Sequence, residues 1–255
     1  MKFMYFLFSI LVLIMIINNC LGQTSGFWVA QKVDEREKGE DASLQMDMVL
    51  IDKKGRERER KLFIIRKDFE GNDKLLLKFT YPNDIRGTSF LVWEHEEKDN
   101  ERFLYLPALG RVRRIASSEK DENFAGTDFS YEDISGRKLE NYTYQLIEEE
   151  VIYESIECYL LASYPKEVNA KFPMIHSWIR KDNFVIIKAD YYNKKEEIEK
   201  TFHVLKLDKV DGIWTSLELL MENHKMNHKT FSKVTNVVYN QGIQDIRFDK
   251  RELMK

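Results

Sequence analysis

Apolar and polar positions along the chain follow two rhythms. Between Phe27 and Lys38, FWVAQKVDEREK sets Phe27, Val29 or Ala30, and Val33 at helical spacing ahead of a charged tail, and Gly39 can end it. The pattern predicts one amphipathic helix. From Ser43 the period drops to two: LQMDMVLID alternates, Lys53-Lys54-Gly55 makes a hairpin turn, and RERERKLFIIRK returns. KLLLKFTY stops at Pro82, and after a turn through residues 82–87, TSFLVWEHE and RFLYLP pair across a charged loop. No helical crossover is long enough for parallel pairing. Further on, residues 136–140 carry a short helical turn, and YTYQLIEEE and SIECYLLASY resume the strand pattern. MIHSWIRK, FVIIKADYY, IEKTFHVLKL, IWTSLELLMEN and TFSKVTNVVY then follow, separated by turns at Asp182-Asn183, residues 193–196 and Asp211-Gly212. Strands so regularly spaced predict an antiparallel meander.

Four of these strands, LFII, LLLKF, FLVW and FVII, are apolar on both faces. A sheet with one wet face alternates, so these strands require a covered interior on one side and a second apolar contact on the other. A strongly curved antiparallel sheet, a half-barrel with a few covering helices, meets that requirement and gives a mainly β (α+β) fold. If the helix fills its interior only partly, an apolar cavity remains. Candidates for its lining are Trp28, Phe63, Leu76, Phe90, Trp93, Trp178 and Ile187, with strand parity leaving open which neighbours point inward. No repeat, linker or low-complexity tract divides residues 23–255, which read as one domain.

The densest cluster of unusual residues is FAGTDFSYED, Phe124 to Asp133, introduced by LPALGRVRRI. Gly126 accepts a positive φ, Thr127 or Asp128 can cap a short helix starting at Phe129, and Phe124 and Phe129 can be buried on either side of the turn. Tyr131 and Asp133 complete it. Two readings stand: a structural corner pinning a loop onto the core, or a docking surface. Catalysis lacks a neighbouring His or Cys to activate a nucleophile. Arg111, Arg113 and Arg114 form the sharpest basic cluster. They suit a solvated loop, a contact for an anionic headgroup or acidic partner, or internal pairs with Asp128 or Asp133.

The run from LP through RVRRI to FAGTDFSYEDI, with a signal segment before it, a Trp-bearing hairpin after it and a terminal GIQDIRF, resembles the outer-membrane lipoprotein-sorting protein family. These LolA-like proteins often accompany exporters of the resistance-nodulation-division type. The resemblance spans nearly the whole mature chain and implies the same curved half-barrel with covering helices. It also implies work beside an inner-membrane exporter of that type.

Composition narrows the partners. Of 255 residues 43% are hydrophobic and 33% charged, a globular balance, and a net charge of -3 argues against nucleic acid. MKFMYFLFSILVLIMII followed by Asn18-Asn19-Cys20-Leu21-Gly22 has the form of a signal peptide over residues 1–22 with cleavage before Gln23, which predicts a periplasmic protein. A lipid anchor on Cys20 is the weaker reading, because Asn19 fits the small residue expected there poorly. That leaves Cys158, in the apolar run IECYLLASY, as a buried, inert thiol. His224 and His228 are four apart but fall between strands with no third ligand in sequence, and the acidic runs suit solvated strand ends. No nucleophile elbow, phosphate loop or CxxC is present. The expectation is a non-enzymatic carrier without cofactor or metal, holding lipid or lipoprotein acyl chains and making transient membrane contact. The alternative is an exporter-associated protein-binding module with a filled core.

Overall fold

The computed structural model describes residues 24–69, 72–95 and 97–255. The signal segment, its cut before Gln23 and Cys20 lie outside the described residues. β1 (Asp41–Ile51), β2 (Glu57–Lys67), β3 (Lys74–Tyr81), β4 (Ser89–Trp93), β5 (Glu101–Leu106) and β6 (Arg111–Ile115) form one antiparallel meander. β7 (Tyr142–Tyr153), β8 (Ile156–Pro165), β9 (Met174–Arg180), β10 (Ile186–Tyr192), β11 (Ile198–Val210), β12 (Ile213–Asn223) and β13 (His228–Tyr239) form a second. The meanders join where β1 pairs with β13, with Leu50 opposite Thr230 and Met48 opposite Ser232. Across the resulting 13-stranded sheet the order is β6-β5-β4-β3-β2-β1-β13-β12-β11-β10-β9-β8-β7. β6 and β7, consecutive in the chain, are therefore the two outer edges. Residues 116–141 carry the chain from one edge to the other.

That crossing shows how strongly the sheet curves. The Phe124 ring lies 5.5 Å from Phe79 on β3 and 5.3 Å from Phe90 on β4. Nine residues later Asp133 reaches Tyr191 on β10 and Lys200 on β11, both at 3.0 Å. In a flat sheet β4 and β10 would stand roughly 30 Å apart at the usual strand spacing, so one short segment touches both only because the sheet curls around it. The molecule is an open half-barrel, with the crossing segment on its inner face.

The doubly apolar strands are covered twice, as their pattern requires. Leu62, Leu77, Phe79, Phe90 and Val92 pack inward against the crossing segment. Their neighbours Ile65, Leu76 and Leu91 point outward with Phe103, under Phe248 and Leu253 of the C-terminal tail. The tail forms two short 3-10 turns, Asp245–Phe248 and Lys250–Met254. Trp93 fixes it by donating its indole N–H to the Phe248 carbonyl at 2.9 Å.

Helix α1 (Gly26–Asp34) lies on the inner face of β7 and β8, with Val29 and Ala30 packed on Tyr159, Leu161 and Ile179. Ser25 caps it by accepting the Trp28 N–H at 3.0 Å. At Gly26 a Cβ would lie 2.8 Å from the Leu146 amide nitrogen, so glycine is what lets the helix rest on the β7 backbone. The sequence pattern extends the helix to Lys38, whereas it ends at Asp34. Arg66 takes the carbonyls of Lys38 and Gly39, each at 2.6 Å, and holds that stretch extended ahead of β1. RVRRI is also a strand and not a loop: β6 pairs with β5, and its arginines read as polar only because an edge strand is half solvated.

Candidate functional site

Residues 124–133 form the centre of the inner face. Ala125 and Gly126 take φ of 47° and 75°, turning the chain back so that the Phe124 N–H donates to the Phe129 carbonyl at 2.8 Å. A Cβ at Gly126 would meet nothing within 4 Å, so glycine serves the backbone angle alone. The short helix α2 (Tyr131–Ser135) begins two residues later than expected, and its cap is Ser130 in place of Thr127 or Asp128. Ser130 Oγ accepts the Asp133 N–H at 3.0 Å while the Asp133 carboxylate accepts the Ser130 N–H at 2.8 Å. The other two candidates are already occupied. Thr127 donates its hydroxyl to the Phe124 carbonyl at 2.8 Å, and Asp128 accepts from the Thr230 hydroxyl at 2.8 Å and meets His228 Nδ1 at 2.6 Å.

Phe124, Thr127, Asp128, Phe129 and Tyr131 are all buried. Asp133 is enclosed by Arg137 at 2.5 Å and Lys200 at 3.0 Å, with the Tyr191 hydroxyl donating to it. Burial by itself would raise this carboxyl, but the two cations outweigh it and hold it well below the usual carboxylate range. These side chains face inward, away from any partner at the surface. The arginines of β6 stay outside: Arg113 pairs with Glu119 at 2.6 Å and Arg114 with Glu101 at 3.3 Å, and neither reaches Asp128 or Asp133. Arg111 is exposed at the same edge.

With the centre filled, the apolar space lies to one side. Between α1 and β8, β9 and β10 is a cavity of about 280 Å³, near the lower end of the size of small-molecule sites. Ala30 and Val33 of the helix, Tyr144, Leu161, Ile175, Ile179 and Ile186 of the sheet, and Leu139 of the crossing segment supply its apolar walls. Ser163 and Ser177 are its small polar groups.

None of the seven residues expected to line a cavity borders this one. Phe90 faces the inner side but is packed on Phe124 and Tyr131. Phe63, Leu76 and Trp93 lie together on the outer side beneath the tail. Trp178 and Ile187 pack around Cys158, also on the outer side, where Lys188 Nζ sits 3.9 Å from the centre of the Trp178 ring. Trp28 stands on α1, edge-on to Tyr159 and Phe184, and is 38% exposed. Strand parity divides the seven, because successive side chains point to opposite faces and bulges shift the alternation. Val33, Leu161 and Ile179, which do line the space, carry no sequence mark beyond being apolar.

The remaining candidates are held in structural contacts. Burial pushes the Cys158 thiol up to about 11. His224 Nε2 meets the Thr201 hydroxyl at 2.8 Å while His228 is engaged with Asp128, so the two rings have separate partners. Among the described residues no group of three His, Cys, Asp or Glu is placed to hold a metal ion, and no helix is long and apolar enough to cross a membrane.

Comparison with known proteins agrees with this architecture. A DUF1329 family protein from Desulfovibrio piger is 30% identical and superposes with a TM-score of 0.84, the match covering 89% of this chain and 97% of that one. An outer membrane lipoprotein-sorting protein domain from Vibrio parahaemolyticus is 27% identical at a TM-score of 0.84, over 90% and 98% of the two chains. A LolA superfamily protein from Nitrosomonas europaea, at 16% identity, shares the fold with a TM-score of 0.71 over 90% and 100%. No curated protein matches the sequence. A DUF1329-like family model, described as an uncharacterised protein, matches residues 71–255. On the breadth of that match and the near-complete overlap with the Desulfovibrio protein, the chain belongs to the DUF1329 family, built on the LolA-like lipoprotein-sorting fold.

Proposed function

We propose that the protein is a periplasmic, non-enzymatic carrier that seats a lipid or lipoprotein acyl chain in the cavity beneath α1. The observation that carries this reading is the cavity itself, an apolar slot between one helix and the inner face of a sheet whose fold is that of lipoprotein-sorting proteins. Each acyl CH₂ moved there from water contributes about 0.8 kcal/mol. A slot of this size holds part of a long chain, which makes release to a competing partner feasible. An inner-membrane exporter of the resistance-nodulation-division type is the partner for that handover, and the exposed Arg111 and Arg114 on the β6 edge offer it a basic contact.

The filled centre of the half-barrel favours a second reading, an exporter-associated binding module with no lipid site. Titrating a fluorescent fatty-acyl probe into the purified exported protein separates the two. The carrier reading expects saturable binding that Val33→Trp abolishes by filling the slot, with the thermal melt close to that of the parent because Val33 is only half-buried. A parent protein that binds no probe leaves the module.

A further inference from the structure

The slot beneath α1 is not closed by apolar groups at the helix C-terminus. Beyond it lies a larger polar space of about 600 Å³, bounded by Arg66, Asp73, Glu94 and His95. Among the described residues Asp34, Arg36, Lys38, Gly136, Arg137 and Leu139 border both spaces, so they form the boundary between an apolar slot and a polar chamber. This is the division of an amphiphile, chain on one side and head on the other.

The charges at the junction decide which head. Arg66 is committed to Asp73 at 2.8 Å, and Arg137 to Asp133 at 2.5 Å. Arg36 has no such commitment. Its Nε is buried without a hydrogen-bond partner among the described residues, and burial lowers its pKa from the ordinary value, which the nearby Tyr239 hydroxyl only partly offsets. A guanidinium N–H removed from water without an acceptor is unfavourable until something supplies one, and the planar fork it belongs to suits the oxygens of a phosphate or carboxylate. Lys38, two residues on, adds a second positive charge on the same boundary. Carboxylates also line the chamber, but Asp73 is paired with Arg66, Glu35 with Lys32 and Glu140 with Lys138, and Asp34 at the junction is exposed to solvent. Glu94 is pushed up to about 7 by burial and the Asp73 carboxylate, so it is in good part neutral there and repels an anion weakly.

We infer that the ligand is an anionic amphiphile, its acyl chain in the slot beneath α1 and its phosphate or carboxylate head on Arg36 and Lys38. The inference rests on the carrier reading and adds the head to it. A neutral head of equal chain length offers Arg36 at best an uncharged acceptor, and losing the charge-assisted hydrogen bond costs about tenfold or more in affinity.

The test displaces a neutral-headed fluorescent acyl probe from the purified protein with dodecyl phosphate, dodecanoate and dodecanol, each below its micelle concentration, and with inorganic phosphate. The expected result is that both anions displace the probe at about one tenth of the dodecanol concentration. Arg36→Gln should bring them to the dodecanol value while leaving dodecanol unchanged, and inorganic phosphate should displace nothing. Tighter binding of dodecyl phosphate assigns a phospholipid head, and tighter binding of dodecanoate a fatty acid. Equal displacement by all three amphiphiles, or an Arg36→Gln protein that keeps the gap, overturns the head assignment while the acyl site stands. A probe that never binds overturns the acyl site, and the head assignment with it.

Discussion

At the scale of single residues, Glu94 couples the chamber to pH. Its folded pKa of about 7 lies above the ordinary value of 4.5, because burial and Asp73, with a smaller push from Asp34, outweigh the pull of Lys38 and Arg66. Between those two values the folded protein binds more protons than the unfolded chain, so stability falls as pH rises through about 7. The loss should amount to a few kcal/mol and be complete above the folded pKa. Urea melts from pH 5 to pH 8 check this: the parent should lose stability across the range, and Glu94→Gln should lose markedly less. A Glu94→Gln protein with the parent's slope would place the titrating group elsewhere. Nothing in the sequence marks Glu94, one acid among 43 Asp and Glu. Its environment comes from Gly136, where a Cβ would lie 3.4 Å from the Glu94 carboxylate, and from Asp73, the residue just ahead of β3, whose carbonyl accepts the Glu94 N–H at 2.8 Å.

At the scale of elements, the crossing segment is what the half-barrel is folded around. Phe124 contacts Phe79, Phe90 and Tyr131, and Asp128 is tied to Thr230 more than 100 positions away in sequence. Phe124→Ala should cost about 3–5 kcal/mol. Phe129, also buried, belongs to the same cluster, and its truncation should cost less if the segment can settle into the gap. Thermal melts give both values, and a Phe124→Ala protein as stable as the parent would mean that the sheet holds its curve without the segment. The importance of this stretch was legible in the sequence because two Phe, a Tyr and a Gly within ten residues rarely serve a solvated loop. Its partners were not legible. Lys200, Arg137, His228 and Thr230 are ordinary residues in sequence, and only the closing of β1 onto β13 brings the last two beneath the segment. The hairpins could be read from their turns, whereas β6 was hidden because three arginines in five positions obscure the alternation.

At the scale of the whole molecule, the sheet has two apolar faces and covers them by different means. The inner face takes the crossing segment and α1, and the outer face of β2 to β5 takes the C-terminal tail. Leu76 and Leu77 show the consequence, being buried on opposite faces with neither bordering the cavity. A carboxylate at either position would lack a partner, so Leu76→Glu and Leu77→Glu should both unfold the protein and cannot separate binding from stability. The tail offers a cleaner experiment. Phe248 fills the outer cluster against Phe69 at 5.8 Å, with Leu76, Leu91 and Phe103 in the same cluster, and Lys67 holds the preceding chain through the Ile243 carbonyl at 2.8 Å and Asp245 at 2.6 Å. Phe248→Ala should therefore cost about 3–5 kcal/mol and open apolar surface on the outer side. Because the slot beneath α1 belongs to the inner face of the other meander, the folded variant should bind an acyl probe with the parent's affinity. Chemical melts and probe titration on the same sample measure the two effects together. A variant that keeps its stability would show the tail resting on a sheet that does not need it, and one that stays folded but loses the probe would show that the two faces communicate through the strands they share.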